Sequence, residues 1–296
     1  MRLTRIGATA LAAMLLGAFG LAARAQEPPV IRTVLSAETG GPGDVVLLDV
    51  ICNCEATDAS AAIFGRPVRL TRIGDRWQGL IGIDLDVRPG TYPIEVAVTP
   101  AGSGAIASAQ KLTVVEKKYP VRRLRVAPNF VDPPAGELAR IQQDAAALQT
   151  IFEAASSPRQ WQGAFQAPVG DPPNSSFGAR SIYNGQARNP HSGTDFSAKA
   201  GTPVAAPASG TVVLARPLYF TGNTVVVDHG LGLYSLLAHL QEIGVKEGDQ
   251  ITRGDVVGRV GGTGRVTAPH LHWSVRLNNA RVDPLSVLAV TKGLTQ

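Results

Sequence analysis

The sequence predicts a mainly β protein in which a helix connects two β domains. Three observations carry this. Short apolar or alternating runs separated by Gly, Pro, Asn and Asp fill residues 30 to 116, one stretch of helical spacing follows at 138 to 152, and Val-, Gly- and Pro-rich runs resume from Phe165. A chain of 296 residues is long enough for two domains, each with its own core. Its 44% hydrophobic and 17% charged residues exclude a disordered chain, and 32 glycines with 21 prolines suit short strands and many turns.

Residues 1 to 25 read as a secretory signal: Arg2 and Arg5 start it, Ile6 to Ala22 form the apolar stretch, and Ala23-Arg24-Ala25 is a small-x-small cleavage site before Gln26. The stretch approaches the roughly 18 residues that cross a bilayer. Its Ala and Gly content and the processing site nevertheless indicate removal, so the expected product is exported, periplasmic and without a membrane span. Three arginines and no acid leave with the signal, taking the formal charge from +5 to +2, which gives no footprint for nucleic acid.

Between residues 26 and 116, strands are expected at 45 to 52, 61 to 70, 77 to 85, 91 to 98 and 111 to 115. Their even spacing between turn residues suggests a small antiparallel sandwich of immunoglobulin-like kind, with no catalytic cluster. In one extended strand, side chains at i and i+2 run parallel, so Cys52 and Cys54 are read as a free or strained pair and not as metal ligands.

The connection, residues 117 to 159, begins with Lys117, Lys118, Arg122, Arg123 and Arg125 among prolines, as an extended segment facing solvent would. Leu138, Ile141, Ala145, Leu148 and Phe152 then follow the i+3, i+4 alternation of an amphipathic helix, with Pro133 and Pro134 suited to its start. This helix is expected to act as a packing or spacing element.

The second domain, residues 160 to 290, holds all five histidines, four of them in contexts that can converge. His191-Ser-Gly-Thr-Asp195 enters a strand. In His270-Leu-His-Trp-Ser-Val-Arg-Leu277, strand periodicity puts His270, His272, Ser274 and Arg276 on one face and Leu271, Trp273, Val275 and Leu277 on the other. Catalytic zinc takes three protein ligands and leaves a fourth place for water. His191, Asp195 and one histidine of the HxH pair supply that number, and the other is free to handle protons. His229, between Asp228 and Gly230 where a strand meets a turn, reads as structural.

HSGTDF at 191 to 196, AHL at 238 to 240 and GGTGRVTAPHLHW at 261 to 273, in that order, resemble the lysostaphin or LytM-type zinc metalloendopeptidases, over about residues 175 to 285. The resemblance implies an antiparallel β domain with a zinc ion held by His191, Asp195 and His272, and with His239 and His270 as catalytic histidines. Similar enzymes hydrolyse peptide cross-links of peptidoglycan. One departure is Leu237, where similar sequences often carry an aromatic residue; it is expected to alter groove packing and not the ligands. Upstream domains in such proteins position or restrain the groove, and the 117 to 134 connection would let the first domain fold back on it. An alternative is a non-catalytic relative that activates another wall hydrolase, but such relatives lack ligands, and here none is missing. A lipoyl-type carrier is disfavoured because no lysine sits in a tight turn between the Glu247-Gly-Asp and Arg253-Gly-Asp hairpins.

Overall fold

The structure is a computed structural model that describes residues 27–125, 133–154, 158–174 and 177–294. The expected secretory signal lies outside the described residues. No helix among the described residues is long and apolar enough to cross a membrane.

The chain is mainly β. In its first half, Ile31–Leu35, Val45–Cys52, Arg76–Gly82 and Leu70–Ile73 form an antiparallel sheet in that order. A second sheet runs Thr39–Gly40, Ile106–Val114, Gly90–Pro100, Ala56–Ile63, Arg66–Val68. Alternate residues of Val45–Cys52, namely Val46, Leu48 and Val50, point inward with Ile81 and meet Ile94, Val96, Val98, Leu112 and Val114 of the facing sheet in one core. A period of two with one face buried is what stacks two sheets.

Two local expectations are corrected. Residues 61 to 70 do not make one strand: Phe64 and Gly65 have φ of 56° and 70°, so the chain reverses and Ala56–Ile63 pairs with Arg66–Val68 as a hairpin. Cys52 and Cys54 are joined by a disulfide. The premise of a single extended strand fails, because Val45–Cys52 ends at Cys52 and the chain bends at Asn53, which brings the two α-carbons to 5.0 Å.

The helix Leu138–Glu153 lies on one face of the larger, nine-stranded sheet, where Leu148, Ile151 and Phe152 pack on Leu214, Leu218, Val226 and Leu236. Its buried side differs from the apolar spacing: Leu138 and Ala145 are exposed, whereas Asp144 is buried. Asp144 tolerates that position because its carboxylate accepts from the Tyr219 backbone N–H at 2.7 Å and pairs with Arg216 at 3.5 Å.

The nine-stranded sheet runs Gly193–Phe196, Leu271–Leu277, Leu233–Ile243, Gly222–Asp228, Gly210–Leu218, Gln250–Ile251, with Pro203–Ala205, Val256–Val260 and Ala280–Val282 alongside, all antiparallel. Its core holds Phe196, Leu240, Leu271, Trp273 and Val275, joined by Val45 and Leu80 from the outer face of the first sheet. Leu237 is fully buried in this core opposite Trp273, so its side chain packs the interior and not the groove wall. The halves are locked by Arg281, whose guanidinium meets Asp84 at 2.6 Å and Asp86 at 2.6 Å.

Candidate metal centre

Strand Leu271–Leu277 has a neighbour on each side. Gly193–Phe196 places Asp195 opposite His272, and Leu233–Ile243 places Ala238 opposite it. Directly opposed residues of an antiparallel pair share a face, so register alone brings the carboxylate to the imidazole. His191 sits just before the strand on irregular backbone. Its N–H donates to the Ala179 carbonyl at 2.9 Å and its carbonyl accepts from Gly178 N–H at 2.8 Å.

His191 Nε2, Asp195 Oδ1 and His272 Nδ1 converge. They are separated by 3.0 Å between the imidazoles, 2.9 Å from His272 to Asp195 and 3.2 Å from His191 to Asp195. Zinc bonds such donors at about 2.0–2.2 Å, and a tetrahedron of that size spaces them about 3.3 Å apart. Two imidazoles and a carboxylate therefore fit three corners in both chemistry and spacing, and all three ligand atoms lie within 4.8 Å of one another. The cluster admits no bulk behind it: a Cβ at Gly193 would stand 2.6 Å from His272 Cε1 and 2.6 Å from the Trp273 carbonyl oxygen.

Burial pushes the Asp195 carboxyl up, but hydrogen bonds and charge from His191 and His272 outweigh it and hold the group well below the usual carboxylate range. Burial pushes His272 below the ordinary imidazole value against the opposing hydrogen bond that its ring donates to Asp195. An ionised carboxylate and a neutral imidazole are the states in which these groups bind a metal.

His239 and His270 complete the cluster from two further segments. In Leu233–Ile243 the pairing with Gly222–Asp228 shifts between Asn223 and Val225, so Ala238 and His239 together occupy the space of one residue. His239 takes φ of 64° in this bulge, and its ring comes to 5.9 Å from the His272 ring and 4.9 Å from the His270 ring. Simple alternation would have turned it away from the face of Ala238 and His272. Its Nδ1 donates to the Thr263 carbonyl at 3.0 Å, which leaves the lone pair on Nε2. His270 repeats the device, with Nδ1 donating to the Ala268 carbonyl at 2.9 Å and Nε2 3.8 Å from Asp195. Burial first, then the charge of His272, pushes His239 down to about 4.

The five residues singled out from the sequence thus meet in one cluster. Thr263 and Ala268 were not foreseen, because they act through backbone carbonyls that no side-chain pattern reveals. Thr263 also ties the site together through its hydroxyl, which donates to Leu240 O at 2.7 Å and accepts from Asn223 N–H at 2.9 Å. The one trace in the sequence is the Gly262-Thr-Gly264 turn beside the HxH pair. His229 stays apart, fully buried, with Nδ1 donating to Ser209 O and Nε2 bonded to the Ser235 hydroxyl, both at 2.9 Å.

Residues 189–284 match the profile described as Peptidase family M23. A Pseudomonas aeruginosa structure assigned to peptidase M23 superposes with a TM-score of 0.65 at 36% identity, covering 84% of this chain and 95% of that one. Among curated proteins, the DD-carboxypeptidase/endopeptidase Mpg of Neisseria meningitidis is 42% identical over 106 residues, 36% of this chain and 24% of its own length. The peptidoglycan DD-endopeptidase ShyA of Vibrio cholerae is 42% identical over 96 residues, 32% of this chain and 22% of its own. The chain thus spans about a quarter of the length of these curated relatives.

Proposed function

Since the chain belongs to peptidase family M23, we propose that it is a zinc-dependent endopeptidase that hydrolyses peptide cross-links of bacterial peptidoglycan. The observation that carries this reading is the 2.9–3.2 Å triangle of His191, Asp195 and His272, faced by the Nε2 lone pairs of two further imidazoles. His191, Asp195 and His272 would hold the metal. When bound, zinc supplies a Lewis acid that polarises a scissile carbonyl and acidifies a water molecule.

The protein's own groups move the protons. His270, with its Nε2 directed to the cluster 3.8 Å from Asp195, accepts the proton of the attacking water and returns it to the leaving amine. His239, its Nδ1–H held by the Thr263 carbonyl, presents its Nε2 lone pair on the same side and orients the attacking water by accepting a hydrogen bond from it. One curated relative is named a DD-carboxypeptidase/endopeptidase and the other a peptidoglycan DD-endopeptidase, which supports a bond within or between stem peptides as the substrate, and the signal-like segment at residues 1 to 25 supports a periplasmic place of action.

Digestion of purified sacculi, with mass analysis of the soluble fragments, tests the proposal. Conversion of cross-linked into un-cross-linked muropeptides, read after a muramidase has cut the glycan strands, abolished by a chelator and restored by zinc, is the expected result. A protein that holds stoichiometric zinc yet releases nothing would instead be a binding relative, and a chelator-resistant activity would remove the metal from the chemistry.

A further inference from the structure

We propose that the N-terminal sandwich is a working support of the metal centre: the Pro42-Gly43 turn, acting through Tyr119 and Phe177, sets the position of His191. The inference rests on the reading of His191 as a metal ligand. His191 lies on irregular backbone, and the Gly178-Ala179 pair brackets it with hydrogen bonds at 2.8 and 2.9 Å. What fixes that pair comes from the other half of the chain. Phe177 is 4% exposed and its ring lies on Gly43, where a Cβ would stand 2.3 Å from Phe177 Cε1. Tyr119 covers Gly178 so closely that a Cβ there would be 2.3 Å from Tyr119 Cδ1. The two rings meet edge to face, 6.1 Å between centroids.

Tyr119 is itself held by the sandwich. Its hydroxyl donates to the Pro42 carbonyl, and Lys117, paired with Asp44 at 2.6 Å, lies 5.7 Å from its ring. Immediately after, Arg180 N–H donates to Pro120 O at 2.9 Å and Val121–Leu124 pairs in parallel with Arg180–Tyr183, so the two segments run side by side away from the clasp. The same turn reaches the second ligand. The Gly43 carbonyl accepts from Asp283 N–H at 2.8 Å, and the Asp283 carboxylate accepts from the Thr194 hydroxyl, next to Asp195, at 3.4 Å. The contact between the first domain and the site therefore serves metal binding: it removes backbone freedom that His191 would otherwise lose when the ion binds.

The test uses the full chain and reads zinc affinity by competition with a chromophoric chelator, together with amide exchange at His191. Phe177→Ala and Tyr119→Ala are expected to weaken zinc by about 10- to 100-fold, the usual cost of losing an outer support, and to speed exchange at His191. Tyr119→Phe, which keeps the packing and removes one hydrogen bond, covers the case in which the larger truncations do not fold, and should still weaken zinc measurably. Val50→Ala in the sandwich core is the control: it lowers thermal stability away from the clasp and should leave affinity within about twofold. Wild-type affinity in the clasp variants, or an equal loss in Val50→Ala at matched stability, overturns the proposal. His191→Ala and His272→Ala run beside them: if these bind zinc normally the metal-site reading itself fails, whereas if they lose zinc while Phe177→Ala retains it, the clasp alone fails.

Discussion

Replacing Asp84 by Ala removes the carboxylate that ties the sandwich to Ala280–Val282, the strand paired with the one bearing His272. The side chains of Arg281 and Asp84 are 18% and 12% exposed, so solvent screens them little. Arg281 gives Asp84 its backbone N–H at 2.8 Å, Nε at 3.1 Å and Nη2 at 2.6 Å. A hydrogen bond to a charged group contributes about 1.5–3 kcal/mol, and stripping one partner from a buried pair costs about 3–5 kcal/mol. Asp86 stays 2.6 Å from Nη2, but its side chain is 81% exposed and compensates only in part. The expected loss is about 3 kcal/mol, or about 6–12 °C in thermal midpoint for a chain of this size. Thermal and urea unfolding of Asp84→Ala, Arg281→Met and the double variant measures it. The double variant should lose at least about 1.5 kcal/mol less than the sum of the singles, because Asp84→Ala alone strands a guanidinium. A loss below about 1 kcal/mol, or strict additivity, would refute the claim that this pair locks the halves together.

Other outcomes follow from the same geometry. His270→Ala should retain stoichiometric zinc while turnover falls by about 10²–10⁴, measured as muropeptide release; loss of the metal would make His270 a ligand. Gly193→Ala forces its new methyl against the His272 ring, so zinc affinity should drop with the circular dichroism spectrum unchanged; unaltered affinity would mean the sheet yields there easily. Burial pushes His229 down to about 4 in the folded state. The unfolded chain therefore binds a proton that the folded chain refuses as pH falls from about 6.5 to about 4. Stability is full above that window and lost through it, by about 2 kcal/mol at pH 5. Urea titrations should show a steeper loss for wild type than for His229→Gln, and parallel curves would contradict the burial argument.

How far the sequence reaches depends on whether a feature is local. The alternation in Val45–Cys52 and in Leu271–Leu277 depends on a period of two, so the buried faces can be read residue by residue. The helix Leu138–Glu153 is visible for the same reason, yet its buried side includes Asp144 because Tyr219 and Arg216, distant in sequence, satisfy that carboxylate. A reversal at Phe64-Gly65 is hidden when a bulky residue adopts positive φ, and the Cys52–Cys54 disulfide is hidden by a bend at Asn53.

The sequence by itself determined the mainly β class and the kinds of donor at the site, since both follow from side-chain chemistry and short-range periodicity. Only the tertiary structure decided how the donors meet. Asp195 faces His272 across 77 positions of chain because two strands pair in one register, and His239 turns toward them because a bulge inserts a residue. Register and bulge minimise the energy of the whole sheet, and the seat of His191 against Tyr119 and Phe177 does the same between the two halves. Such minima are set by contacts between residues far apart in sequence, which no local window contains.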